Sequence, residues 1–354
     1  MRKRLFLVPL FIMSIFITSS CNLSKKKSNN EINNNPSSMY IKYDTEDYEI
    51  TEPTVHSDIE VIYDCNNGFK YKSYLTVDNR ALRPTKNPVK KASTFVGWYS
   101  DEELKNEYNF NSTHDKAITI YAKYETNYEE LSNLIYEETI LSNVKVVATF
   151  SDRDDFTGNK VESVGSGIIF SASETGYYAI TNNHVLYKEN SSYIFEKYEI
   201  YDCYNNVYRG TISYSDVNYD LAIIQFGRTN TDGKTVKEKL NDISFSNYLP
   251  KENDTIVSIG NPNKIMNSIS YGKYLGLENY DSPKNYEKKS NVHFDVIKHN
   301  SKIETGSSGG MLLDNNLRLI GVNFASKVND DVYENSYAIP LSKVTEFILN
   351  FENK

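Results

Sequence analysis

The chain of 354 residues contains three cysteines (Cys21, Cys65 and Cys203), one tryptophan, five histidines and nine prolines. Three scattered thiols exclude a disulfide framework and a thiolate-rich zinc site, so the fold must hold by packing. A basic excess is also missing: 39 Lys and Arg stand against 47 Asp and Glu, a net charge of −8. That balance excludes binding dominated by nucleic-acid phosphates, and no nucleic-acid partner is expected. No apolar run approaches the ~20 residues that a membrane-spanning helix needs. What is present is ample core material, 39% hydrophobic and 13% aromatic, in a length that corresponds to roughly two domains. No cofactor and no metal are expected.

Charge is unevenly placed. Residues 1–20 carry +3, residues 21–53 carry −2, residues 54–125 are neutral and residues 126–354 carry −9. The basic start, Arg2-Lys3-Arg4, precedes the mainly apolar residues 5–17, then Thr18-Ser19-Ser20-Cys21. This apolar stretch is too short to span hydrocarbon and fits the core of an export signal. Small residues ahead of a cysteine resemble the bacterial lipoprotein lipobox, although Thr18 stands where leucine is usual. The resemblance implies removal of residues 1–20, lipidation at Cys21 and a protein anchored on the outer face of the cell membrane. Residues 21–53 are polar, rich in Lys, Asn and Ser, with too little to bury to repay ordering; they are expected to form a flexible tether.

Residues 54–125 carry apolar runs at Val55, Ile59, Val61, Ile62 and Tyr63, and again from Ile118 to Tyr124 with period two, the pattern of half-buried strands. Between them lie Phe95-Val96-Gly97-Trp98-Tyr99, Leu104 and Tyr108-Asn109-Phe110. The spacing resembles one copy of the internalin B-type (Listeria–Bacteroides) repeat, which implies a small β-grasp-like module of a bacterial surface protein. Trp98 and Phe95 read as core residues, and no site is assigned here.

Residues 126–354 open with Asn127-x-x-Glu130, a helix-capping pattern ahead of Leu131, Leu134, Ile135 and Leu141. Short apolar runs broken by Gly, Asn and Asp follow, from Val146-Val147-Ala148 to Leu319-Ile320-Gly321-Val322, and argue for a barrel or sandwich. Val344, Phe347, Ile348 and Phe351 predict a closing helix. Cys65 and Cys203 fall in different modules and are read as unpaired.

Three residues at the ends of strand-like runs stand out: His184 in Thr181-Asn182-Asn183-His184, Asp220 in Asp220-Leu221-Ala222-Ile223, and Ser308 in Gly306-Ser307-Ser308-Gly309-Gly310. Their order and separation resemble the chymotrypsin-like serine proteases. Within these the chain is most similar to the trypsin-like group that includes DegP/HtrA, which shares Gly165-Ser166-Gly167, Gly260-Asn261-Pro262 and Tyr337-Ala338-Ile339-Pro340. The resemblance implies a mainly β fold, a double β-barrel of the chymotrypsin type with a C-terminal helix, preceded by the repeat module. It also implies His184 as general base, Asp220 as its orienting partner, Ser308 as nucleophile and the amides of Gly306 and Ser308 as oxyanion donors. A serine hydroxyl needs such a base because it is a weak nucleophile at its free pKa.

The expected function is therefore a surface-anchored serine endopeptidase acting on protein or peptide substrates. The alternatives are a protease fold kept as an unproductive binding protein or adhesin, and an ester hydrolase using the same triad. Ser307 replaces the aspartate that pancreatic-type enzymes pair with a new N-terminus, so activation by propeptide cleavage is not expected. Pocket walls are expected from Asn300 to Glu304 and from Val322-Asn323-Phe324, with no clear Asp at the base to select Lys or Arg. His293 and His299 are read as strand or loop residues near that pocket.

Overall fold

The computed structural model describes residues 53–67, 69–153, 158–187, 192–284, 288–329 and 332–353. The expected leader, tether and lipidation site at Cys21 lie outside the described residues. Nearest the N-terminus, β1 (His56–Asp64), β2 (Lys70–Thr76), β3 (Ser93–Tyr99) and β4 (Ile118–Thr126) form one sheet in the order β2-β1-β4-β3. The central pair β1 and β4 is parallel, and among the described residues no helix crosses this sheet. Alternation along β4 sends Ile120 and Ala122 inward, where they join Val61, Tyr63, Leu75 and Trp98. Trp98 meets the rings of Tyr63 and Phe95 edge-on at 5.5 and 5.6 Å, a core position.

Helix α1 (Tyr128–Glu137) starts where the Asn127 side chain accepts the Glu130 N–H at 3.1 Å. Its apolar face, Leu131 and Ile135, is fully buried in a cluster that also holds Ala92, in the turn before β3, and Val257, Leu313 and Leu319 of the last barrel. The helix thus joins module to barrel through apolar contact.

Two closed barrels of six strands follow. The first is built from β5 (Asn143–Asp152), β6 (Lys160–Ala172), β7 (Gly176–Thr181), β8 (Tyr193–Tyr201), β9 (Val207–Asp216) and β10 (Leu221–Gly227). The second uses β11 (Thr255–Gly260), β12 (Ser268–Asp281), β13 (His293–His299), β14 (Met311–Asp314), β15 (Leu319–Asn329) and β16 (Val332–Pro340). Around the ring the first runs β10-β7-β6-β5-β8-β9 and the second β11-β12-β13-β16-β15-β14. Counted from each barrel's own first strand, the two cyclic orders are identical. Closure leaves no open edge within either barrel.

Two devices lock the barrels together. Helix α3 (Leu341–Glu352) leaves β16 and buries Val344, Phe347 and Ile348, with Phe347 stacked on Tyr214 of β9 at 4.9 Å. At about 1.5–3 kcal/mol for each fully buried large apolar side chain, this contact is a major part of the joint. Polar contacts complete it: Asn143 Nδ2 on β5 donates to Asn261 Oδ1 at 3.1 Å and to Asn267 Oδ1 at 2.8 Å.

Candidate active site

β7 ends at Thr181 and turns at once into the single-turn helix α2 (Asn183–Leu186), which carries His184 at the seam between the barrels. Asp220 precedes β10, fully buried and in the left-handed backbone region at φ +50°, a conformation that aspartate tolerates better than most residues. Its backbone carbonyl accepts from the Asn182 side chain at 2.9 Å and from the Asn183 N–H at 3.1 Å. Next to it, Tyr219 donates to Glu346 Oε1 of α3 at 2.6 Å. The aspartate is thus held by the first barrel, and its neighbour ties the segment to α3.

The carboxylate of Asp220 grips the histidine twice. Oδ1 accepts the His184 backbone N–H at 3.0 Å, and Oδ2 lies 2.7 Å from His184 Nδ1. A carboxylate only accepts, so Nδ1 carries a proton and Nε2 is left as the basic nitrogen when the ring is neutral. Burial works against the imidazolium, and Lys289 adds to that. The charge and hydrogen bond of Asp220 outweigh both, and the net shift of the His184 pKa is upward.

Ser308 sits between β13 and β14, on the second barrel. The preceding residues make a tight turn: the Ser307 N–H donates to Glu304 C=O at 2.8 Å, and Gly306 has φ +100°. A positive φ at the third position with a negative one at the second is a type II turn. Its glycine is obligatory on two counts, because a Cβ there would also lie 2.7 Å from the Asn261 carbonyl oxygen.

The carbonyls of the turn are each tied down. Thr305 C=O accepts from the Asn263 N–H at 2.9 Å, and Ser307 C=O accepts from the Gly310 N–H at 2.9 Å. In a trans peptide the N–H lies opposite the C=O. Fixing those two oxygens therefore turns the N–H groups of Gly306 and Ser308 the other way, and among the described residues neither N–H has an acceptor. Ser307 seals the turn, its Oγ accepting the Glu304 N–H at 3.2 Å.

His184, Gly306 and Ser308 line one cleft of about 530 Å³, with Val164, Val185, Ile303 and Phe324 among its walls. The structure thus brings His184, Asp220, Gly306 and Ser308 together, whereas Cys21 lies outside the described residues. Among the described residues no hydrogen bond joins Ser308 Oγ to His184. In ligand-free sites such bonds are often long and tighten on binding.

Of the expected pocket walls, Ile303, Glu304 and Phe324 line the cleft, and Ala325 and Ser326 extend the wall. Val322 is in the core, and Asn323 faces a neighbouring cavity of about 220 Å³. His293 is exposed and bonded to Asp281 and Asn291. His299 is fully buried beside Ser301, and burial pushes its pKa down to about 3, so it stays neutral. No group of three or more His, Cys, Asp or Glu among the described residues could hold a metal. Cys65 and Cys203 are free thiols.

Residues that hold the site but had no role in the sequence reading are Ser166, Asn261, Asn263 and Asn182. The first three fall in or beside Gly-Ser-Gly and Gly-Asn-Pro, whose spacing was visible but whose contacts, up to 140 residues away, were not.

The same conclusion about class comes from comparison. Residues 165–322 match the trypsin-like peptidase domain family, and residues 60–123 match the Listeria-Bacteroides repeat domain. The chain therefore carries a trypsin-like peptidase domain behind one such repeat. It is 27% identical over 219 residues to the serine protease Do-like HtrA of Bacillus subtilis, covering 61% of this chain and 45% of that protein. It is 28% identical over 199 residues to the serine protease HtrA-like of Staphylococcus aureus strain USA300, covering 54% of this chain and 24% of that protein. The matches thus span less than half the length of these curated relatives. Among solved structures, the active form of the Rv3671c protease of M. tuberculosis aligns with a TM-score of 0.48 at 18% identity, over 62% of this chain and 85% of that one.

Proposed function

We propose that the chain is a serine endopeptidase in which Ser308 attacks the scissile carbonyl. The observation that carries this reading is the convergence, in one cleft, of a histidine oriented by a buried aspartate, a serine, and two unpaired amides on a tied-down turn. His184 Nε2 takes the Ser308 proton as the new C–O bond forms, and Asp220 stabilises the resulting imidazolium. The carbonyl oxygen becomes an oxyanion and accepts from the Gly306 and Ser308 N–H groups, each worth about 2.7–4 kcal/mol of barrier in such sites. His184 then protonates the leaving amine as the C–N bond breaks, leaving an acyl ester on Ser308. Water, deprotonated by the same histidine, hydrolyses that ester.

Substrates on this reading are proteins or peptides. The cleft that would receive them is walled by Val164, Val185, Ile303 and Phe324 together with the carboxylates Glu162 and Glu304. Export and lipidation at Cys21, with the enzyme on the outer face of the membrane, belong to the same proposal and rest on the sequence alone. One rival is a protease fold used for binding without turnover. Labelling of the full chain by a fluorophosphonate, with Ser308→Ala as control, separates the two. Labelling at Ser308 together with casein or peptide cleavage is expected. A folded protein that does not label is a binding protein, and one that labels and cleaves only small esters is an esterase.

A further inference from the structure

Gly165-Ser166-Gly167 belongs to β6 of the first barrel, yet its contacts run to the catalytic loop of the second. Ser166 is fully buried. Its backbone N–H donates to Ser308 C=O at 2.7 Å, and its own C=O accepts from Thr181 Oγ1 at 2.6 Å. Its hydroxyl oxygen lies 2.8 Å from Gly306 C=O and 2.8 Å from the Asn261 N–H, with Asn261 Nδ2 at 3.3 Å.

The direction of these bonds is forced. Asn261 N–H and Nδ2 can only donate, so the hydroxyl oxygen accepts from them and its single proton goes to Gly306 C=O. One residue of the first barrel therefore holds the carbonyls of both residues whose amides face the cleft. The flanking glycines let the strand come this near. A Cβ at Gly165 would lie 2.6 Å from the Val185 side chain and 3.0 Å from Ser308 C=O, and one at Gly167 would lie 3.0 Å from Val144 Cγ2.

We propose that Ser166 is a positioning residue for the oxyanion loop: its hydroxyl holds the 306–307 peptide, and with it the Gly306 Cα to which the adjoining 305–306 peptide is attached, so that the Gly306 N–H on that adjoining peptide stays aimed at the cleft before substrate arrives. The inference rests on the protease reading. The Ser166 side chain does not line the cleft and touches no substrate. Removing its hydroxyl leaves Gly306 C=O without its side-chain donor and the 306–307 peptide held, among the described residues, by the Ser307 N–H bond to Glu304 C=O alone, which loosens the turn around Gly306, while the His184–Asp220 pair keeps all its contacts.

The test is Ser166→Ala in the full chain. A fall of about 10-fold to 100-fold in kcat is expected, below the loss from deleting an oxyanion donor outright, with KM unchanged within about twofold. A peptide boronic acid gives the discriminating readout. Its boron bonds to Ser308 Oγ, the serine proton passes to His184, and a boron-bound oxygen occupies the oxyanion position. Its affinity should fall by the same factor as kcat, while a non-covalent product peptide binds as before and the acid midpoint of kcat/KM stays fixed.

Wild-type kcat in Ser166→Ala overturns the proposal, and so does equal loss of boronic acid and product-peptide affinity. If Ser166→Ala does not fold, Ser166→Cys keeps a weak donor and is expected to lose less than tenfold by the same readouts; full wild-type kcat there, or a parallel loss of both ligands, again overturns it. Failure of the protease reading looks different, because then the wild-type chain itself neither labels nor cleaves.

Discussion

At the residue scale, His184 decides the pH response. Its pKa is raised because Asp220, by charge and hydrogen bond, outweighs burial and Lys289. A base must be neutral to accept a proton, so activity is lost as pH falls through the raised pKa, and the acid midpoint of kcat/KM should lie above the ordinary histidine value of about 6.5. The sign for stability is the reverse. Extra stabilisation from the charged pair is present below the unfolded-state pKa and is lost as pH rises through the folded one. Asp220→Asn removes both upward influences and leaves burial. Its acid midpoint should move to lower pH while kcat drops by about 10⁴-fold, as expected when the wrong tautomer is presented. A pH–rate profile of the two proteins checks this, and an unmoved midpoint contradicts the assigned pair.

At the element scale, the turn from Glu304 to Ser307 is the part least able to change. Gly306→Ala puts a Cβ 2.7 Å from a backbone oxygen at φ +100°, so the turn must reopen and its N–H leave the cleft. We expect a folded protein with kcat reduced by about 10²-fold or more; near-native kcat would show that the amide is not used. Elements differed in how well they could be read. β10 opens with the apolar run Leu221–Ile224, and β11 carries Ile256, Val257 and Ile259, because both faces of these segments are buried, and the closing helix showed in its spacing. β12 escaped the sequence reading. Its fourteen residues mix Tyr, Lys, Glu and Ser with Gly272 and Gly276, and a glycine inside a strand pattern reads as a break. Gly272 is needed because a Cβ there would meet Ser301 N at 2.3 Å. β8, with Glu196 exposed and Glu199 half-buried, and β9, with Arg209 and Thr211 exposed, were illegible for another reason: their burial depends on neighbours distant in sequence. His184, Asp220 and Ser308 each stand in a local motif, while the ties made by Ser166 and Asn263 could not be read, since a hydrogen-bond partner leaves no local signature.

Across the whole molecule, the repeat module meets the second barrel through apolar and polar contacts of unequal weight. Lys251 Nζ lies 2.8 Å from Glu102 Oε1, but both side chains are more than half exposed. Thr126 meets Thr255 at 2.9 Å, and Leu131 and Ile135 are fully buried beside Ala92. Solvent screens exposed ion pairs to about 0–1 kcal/mol, whereas removing a buried leucine costs about 2–5 kcal/mol. Denaturant unfolding of Lys251→Ala should therefore be close to wild type, and Leu131→Ala should be clearly weakened. The opposite ranking would mean that charge holds the module in place.

The two barrels of matched strand order divide the proposed machinery between them: base and orienter on one side, nucleophile and oxyanion donors on the other. A chain stopped after β10 carries an imidazole with no hydroxyl to deprotonate. The second barrel folded by itself carries a hydroxyl with no base. On the proposed reading neither half is reactive alone, and the pair is joined where Phe347 of α3 packs on Tyr214 and Tyr219.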